Sequence, residues 1–128
     1  MDKSDGRIIC TAFANGRKHD FRLFKESKVR IRPHIECVAD SGYLGIAKIH
    51  GKSTLPKKRS RKNPLTRQDR AANRAISSRR ALNENVIGSL KRFKIIADKY
   101  RNRRKRFALR FNLIAGVYNL ELAQRFDL

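Results

Sequence analysis

The chain has 128 residues, of which 40% are hydrophobic, and its 32 Lys and Arg against 11 Asp and Glu give a formal net charge of +21. The length predicts one domain. The charge predicts a polyanionic partner, and nucleic acid is a stronger candidate than an anionic membrane surface. No apolar run approaches the ~20 residues of a membrane span and the N-terminus has no apolar signal region, which argues against membrane and secreted proteins.

Cysteine and histidine give no metal or disulfide signal. Cys10 and Cys37 stand alone in apolar runs, which favours buried free thiols. His19, His34 and His50 lack the spacing of metal ligands.

A strand, a helix and a second strand are predicted in the N-terminal third. Arg7–Ala14 is rich in apolar residues and predicts a strand, and Ile35–Ala39 predicts another. Between them, Asp20–Ser27 predicts a short helix with Asp20 as its N-cap. This order is typical of a βαβ unit with parallel strands.

Asp40 directly follows the second predicted strand. An acid at the carboxyl end of a parallel strand lies where α/β folds place their functional sites. The same carboxylate could equally form an Asx turn with Ser41 and Gly42. The residues alone leave both interpretations open.

Residues 48–65 (KIHGKSTLPKKRSRKNPL) form a basic loop with two prolines and one glycine. A short strand is expected around Ser53 to Pro56. The cations could be a solvated face or could line a nucleic-acid channel.

A long helix is predicted from Thr66 to Ile95. Thr66 and Asp69 have the spacing of a capping box. An apolar stripe runs along one side of this helix, formed by Ala75, Leu82, Val86, Leu90 and Phe93.

Glu84 is the only acid between Asp69 and Asp98. Arg80 precedes it by four residues and Lys91 follows it by seven, which places all three within roughly 40° of one helix face. The carboxylate could bind a metal ion, and the two cations beside it could bind a phosphate backbone. The alternative is a helical Arg–Glu pair worth a few tenths of a kcal/mol.

The C-terminal part has a second basic cluster, Arg101–Arg106, followed by a predicted helix from Phe107 to Ala123. That helix carries two apolar stripes, which predicts that it packs between other elements. One stripe consists of Phe107, Phe111, Ile114 and Tyr118, and the other of Leu109, Leu113, Leu120 and Ala123.

Long stretches of the chain resemble the C-terminal part of a DDE transposase from a small bacterial insertion sequence. They include GRIICTAFANGRKHDFRLFKES, VADSGYLGIAKIH and LRFNLIAGVYN. The stretch LPKKRSRKNPLTRQDRAANRAISSRRALNENVIGSLKRFKIIADKYRNRRKRF lies between the last two, so the order is that of the family.

The resemblance implies an α/β fold that is an incomplete ribonuclease H-like domain spanning residues 1–128. It implies a short mixed sheet, a long helix bearing the catalytic Glu, and a C-terminal helix packed on that helix. Three carboxylates of the family hold two divalent ions, Mg²⁺ or Mn²⁺, for phosphodiester cleavage and strand transfer. Asp40 matches the second catalytic Asp and Glu84 the catalytic Glu, so both are expected to be metal ligands.

Two features depart from the family pattern. Ser77 stands where related transposases have a Tyr in the signature that Arg80, Glu84 and Lys91 otherwise match. The segment that resembles the family begins after the strand that bears its first catalytic Asp, so that strand is expected to be missing, and Asp2 and Asp5 fall in what looks like a turn. This chain alone is therefore expected to be inactive, as a truncated transposase or one that needs an upstream fragment as partner.

The expected partner is DNA, both insertion-sequence ends and target, in the bacterial cytoplasm at the nucleoid. The alternative function is a non-catalytic basic nucleic-acid-binding remnant or a small RNA-binding protein. The residues expected to contact DNA are Lys57, Lys58, Arg59, Arg61, Lys62, Arg80, Lys91, Arg101, Arg103 and Arg104.

Overall fold

The computed structural model describes residues 1–94 and 106–126, and within them the chain is mixed α/β, as predicted. None of the described helices is long and apolar enough to cross a bilayer. The helices are Asp20–Glu26 (α1), Arg67–Leu90 (α2) and Phe107–Phe126 (α3), and the strands are Cys37–Val38 (β1) and Ser53–Thr54 (β2).

The two strands form a parallel pair. Cys37 lies opposite Ser53 and Val38 opposite Thr54. The centre of the predicted strand Ile35–Ala39 and the start of the strand expected around Ser53 are thereby confirmed. The expected mixed sheet is a two-stranded parallel sheet in the described part of the chain.

The predicted strand Arg7–Ala14 is wrong. No strand pairing occurs in this segment, and the side chain of Asn119 on α3 takes both backbone hydrogen bonds of Ile8. The Ile8 N–H donates to Oδ1 at 2.9 Å, and Nδ2 donates to the Ile8 carbonyl at 2.8 Å. The Asn119 amide on α3 therefore makes the two backbone hydrogen bonds that a neighbouring strand was expected to make. Cys10, in this segment, is exposed rather than buried.

The chain divides into two compact units, with α2 contributing to both. The first unit comprises Met1–Phe13 and Leu82–Leu128, and the second comprises Ala14–Ala81. That residues 1–128 belong to one catalytic domain stays a prediction.

In the second unit, α1 packs against a 3-10 turn that follows β1. The Tyr43 ring of this turn, Ser41–Tyr43, lies 5.6 Å from the Phe21 ring and 6.0 Å from the Phe24 ring. Ile46 is fully buried nearby. The aromatic contacts fix the start of α1 close to the end of β1.

The N-cap of α1 is His19 rather than the predicted Asp20. The imidazole Nδ1 accepts the Phe21 N–H at 3.3 Å. Asp20 is the first helical residue, where a negative charge favours the helix dipole.

The capping box of α2 is confirmed. The Asp69 N–H donates to Thr66 Oγ1 at 3.1 Å, and the Thr66 N–H donates to Asp69 Oδ2 at 3.0 Å. The helix runs without interruption through Ser77 and Ser78 and ends at Leu90. The predicted end at Ile95 lies outside the described residues.

In the first unit, α3 and the end of α2 both pack on the N-terminal turn. A Cβ added to Gly6, whose φ is +79°, would lie within 4 Å of Leu82, Val86 and Tyr118. Val86, Leu90 and Ala115 are buried. Phe13 completes this packing with edge-on contacts to Phe107 and Phe111 on the first predicted stripe of α3.

The second apolar stripe of α3 is uncovered. Leu109, Leu113 and Leu120 are each more than 60% exposed. The prediction that both stripes are packed is therefore wrong for this one, because no element within the described ranges covers it.

Candidate active site

Asp40 lies where the sequence placed it, just past the end of β1. The Ala39 N–H still donates to the Thr54 carbonyl of β2 at 3.1 Å, so the strand pairing continues to the residue before Asp40. The 3-10 turn Ser41–Tyr43 then begins with Asp40 as its N-cap. The carboxylate therefore projects from a backbone held on both sides.

The Asx turn considered for Asp40 is formed, and a functional role for the carboxylate stays a prediction. Its Oδ1 accepts the Gly42 N–H at 2.6 Å, which is the Asx turn. Its Oδ2 lies 3.7 Å from a guanidinium nitrogen of Arg80 on α2. One oxygen thus fixes the side chain, and the other faces a half-buried cation.

A second acid adds to the negative charge around this turn. The pKa of the Tyr43 hydroxyl is raised by burial first, and then by the charges of Asp20 and Asp40. The end of β1 is therefore a place where a cation is favoured, and Arg80 supplies one.

Glu84 is exposed on α2. No ion pair of its carboxylate is found within residues 1–94 and 106–126, whereas Arg80 faces Asp40. The helical Arg80–Glu84 pair considered from the sequence is therefore not formed. Asp40 and Glu84 belong to different units, and their meeting at shared metal ions stays a prediction.

The basic loop contains a tight turn with cations at its tip. The Ser60 N–H donates to the Asn63 carbonyl at 3.2 Å, and the Asn63 N–H donates to Ser60 Oγ at 3.0 Å. Arg61 and Lys62 occupy the tip. We call the exposed cations here the basic turn, which consists of Lys58, Arg59, Arg61 and Lys62.

Lys57 differs from the other predicted DNA contacts in this loop. Its ammonium lies 2.8 Å from Asp69, and its hydrogen bond is the main reason that the pKa of Asp69 falls to about 2. The Asn73 amide also bonds both backbone groups of Lys57. Lys57 therefore attaches the loop to the start of α2.

Lys91 and the second basic cluster are the remaining predicted DNA contacts. Lys91 is exposed in the turn just after α2. Arg101, Arg103 and Arg104 lie outside the described residues.

One ion pair near the site was missed from the sequence. Arg79 donates two hydrogen bonds to Glu36, at 3.1 and 2.7 Å, and Thr54 donates a third at 2.6 Å. Arg79 first, and then Thr54, hold the pKa of Glu36 at about 2. The pair joins α2 to the residue before β1, next to Arg80. The sequence holds no signal for it, because 43 positions separate the partners.

The side chains near Asp40 meet only part of what a divalent-cation site needs. Carboxylate oxygens suit Mg²⁺ and Mn²⁺. Across the described residues, however, no three His, Cys, Asp or Glu side chains come together as a metal-binding group.

A family model described as DDE superfamily endonuclease matches residues 3–119, and the chain therefore belongs to that family. It is also similar to a protein of Microchaete diplosiphon described as a probable transposase for insertion sequence element IS702, with 46% identity over 123 residues. That match covers 96% of this chain and 45% of the relative, so the chain spans less than half of the relative's length. No solved structure matches the chain.

Proposed function

We propose that the chain is part of the catalytic domain of a DDE transposase with a ribonuclease H-like fold. The reaction would be metal-dependent cleavage and joining of DNA phosphodiesters during insertion-sequence transposition. The family match over residues 3–119 and the similarity to a transposase support this. They give no support to a small RNA-binding protein. The complete reaction is proposed for a protein that includes the rest of the relative's length.

Asp40 and Glu84 would hold the divalent ions, Mg²⁺ or Mn²⁺, which when bound activate the attacking oxygen and stabilise the leaving one. The chain's own contribution at Asp40 is orientation. The Gly42 N–H and the pairing of β1 with β2 fix where its carboxylate projects. This preorganised carboxylate beside Arg80 is the observation that carries the proposal.

Arg80 would contact a phosphate next to the reacting bond. Its guanidinium is half-buried and already lies 3.7 Å from Asp40, so little side-chain freedom remains to be lost when it binds. Lys91 would add a contact from the turn after α2.

The basic turn would hold the DNA backbone outside the site. Its four cations are exposed on a turn with two internal hydrogen bonds. No ion pair involving them occurs in the described part of the chain, so their charges are available to phosphates. The binding would be indifferent to sequence and strongly dependent on salt.

Duplex binding by the chain tests this role. Changing Lys58, Arg59 and Arg61 to Gln should weaken binding and reduce the slope of log K against log salt by up to about 3, because each phosphate contact contributes about 0.9. Fluorescence anisotropy between about 50 and 200 mM salt measures both.

A matched control removes the same charge elsewhere in the second unit. Arg17, Arg30 and Arg32 are exposed, and changing them to Gln should alter the salt slope much less. Equal losses in the two triple variants would refute a specific role for the basic turn. No binding by the folded wild-type chain at low salt would refute DNA binding itself.

A further inference from the structure

His19 lies beside Asp40 over the turn that follows β1. A Cβ built on Gly42 would lie 2.9 Å from Asp40 Oδ1, 3.5 Å from His19 Cε1 and 3.7 Å from His19 Nε2. The imidazole edge and the carboxylate therefore border the same small space. That space exists because residue 42 has no side chain.

The packing of α1 determines where His19 lies. Phe21 and Phe24 hold α1 against Tyr43, which is the last residue of the turn that contains Gly42. His19 immediately precedes the helix and caps it. The ring is therefore tied to its own helix by one nitrogen, while the other nitrogen lies near Asp40.

The hydrogen bond from the Phe21 N–H to His19 Nδ1 determines whether Nε2 donates or accepts a hydrogen bond. Because Nδ1 accepts the Phe21 N–H, a neutral His19 carries its proton on Nε2. Nε2 then donates a hydrogen bond and cannot offer a lone pair to a metal. Among the described residues no acceptor lies within hydrogen-bond distance of Nε2, and Asp40 Oδ1 accepts the Gly42 N–H instead.

Two donors thus flank the Asp40 carboxylate, Nε2–H of His19 on the Oδ1 side and the Arg80 guanidinium on the Oδ2 side. A phosphodiester satisfies both donors, because its non-bridging oxygens accept hydrogen bonds and carry negative charge. Arg80 offsets the repulsion between that phosphate and the carboxylate.

We infer that Nε2–H of His19 donates a hydrogen bond to a non-bridging phosphate oxygen of the DNA backbone beside Asp40. This inference rests on the proposed function, since it takes DNA as the substrate. It gives His19 a positioning role in addition to its cap.

The variant His19→Asn separates the two roles. Asn is among the best N-cap residues, so α1 should keep its cap. The shorter amide should not reach the space over Gly42. His34→Asn is the matched control, because His34 is also exposed in the second unit.

At about pH 8, His19→Asn should weaken duplex binding about tenfold, as expected for a hydrogen bond to a charged acceptor. The salt slope should stay unchanged, because the inferred contact is a hydrogen bond from a neutral donor, which releases no counterions. His34→Asn should bind like the wild-type chain.

The wild-type chain gives a second readout that needs no variant. On addition of duplex DNA, the His19 ring resonances should shift in a ¹H–¹⁵N imidazole spectrum, while those of His34 should not. Unshifted His19 resonances in a chain that binds DNA, or wild-type affinity in His19→Asn, would overturn the inference and leave DNA binding intact. A wild-type chain that fails to bind would overturn the proposed function as well.

Discussion

Glu36 shows how single residues fix the surroundings of the candidate site. Its carboxylate accepts two hydrogen bonds from Arg79 on α2 and one from Thr54 on β2. Because Arg79 and Arg80 are adjacent in the helix, an anchor on Arg79 also limits where Arg80 can lie. Replacing Glu36 should therefore change the position of the Arg80 guanidinium beside Asp40.

The acid stability of the chain should depend on Glu36. Its pKa is about 2 in the folded chain against an ordinary value of 4.5, mainly because of Arg79. Between these values the unfolded chain binds more protons, so the stability from this group is full above about pH 4.5 and is lost as pH falls towards 2. Glu36→Gln should remove this part of the pH dependence.

Denaturant unfolding followed at several pH values in that window measures the effect. The wild-type chain should take up as much as about one more proton on unfolding than Glu36→Gln does. Arg79→Met should reduce the proton uptake in the same direction. Identical pH slopes in wild-type and Glu36→Gln would contradict the pair.

At the scale of elements, local sequence signals predicted the helices, but they wrongly predicted a strand at Arg7–Ala14. The capping box of Thr66 and Asp69 places the start of α2, because its hydrogen bonds join residues three apart. Arg7–Ala14 has the apolar composition of a strand. Strand pairing needs a partner, however, and the partner that the described chain supplies is the Asn119 amide, more than a hundred positions away.

Asn119 should therefore stabilise the first unit. Asn119→Leu leaves the N–H and carbonyl of Ile8 without their partners, and each half-buried group should cost about 1–3 kcal/mol of unfolding free energy if water cannot replace the bond. Chemical denaturation measures the loss.

Asn112→Leu is the natural comparison on the same helix. Asn112 accepts one hydrogen bond from the exposed Thr11 hydroxyl, so its loss should cost clearly less. Equal stability of Asn119→Leu and the wild-type chain would contradict the contact with Ile8.

For the molecule as a whole, the position of Asp40 could be predicted from the sequence, whereas its contacts could not. Asp40 was placed at a strand end correctly, because the apolar run before it and the Ser41–Gly42 turn after it are local features. The contacts of that carboxylate with Arg80 and of its turn with His19 depend on packing between α1, α2 and the end of β1. No spacing rule connects residues that far apart in the chain.

We propose, as the resemblance to the family implies, that Asp40 and Glu84 are both metal ligands. Amide signals in a ¹H–¹⁵N spectrum titrated with Mn²⁺ test it, because a paramagnetic ion broadens the nuclei closest to it. The amides of Ser41 and Gly42 report on Asp40, and those of Asn83 and Asn85 report on Glu84. Both groups should broaden, and Asp40→Asn and Glu84→Gln should each remove the broadening next to the substituted residue. No broadening near Asp40 or Glu84, or broadening that survives in the variant of the same residue, would contradict the proposal.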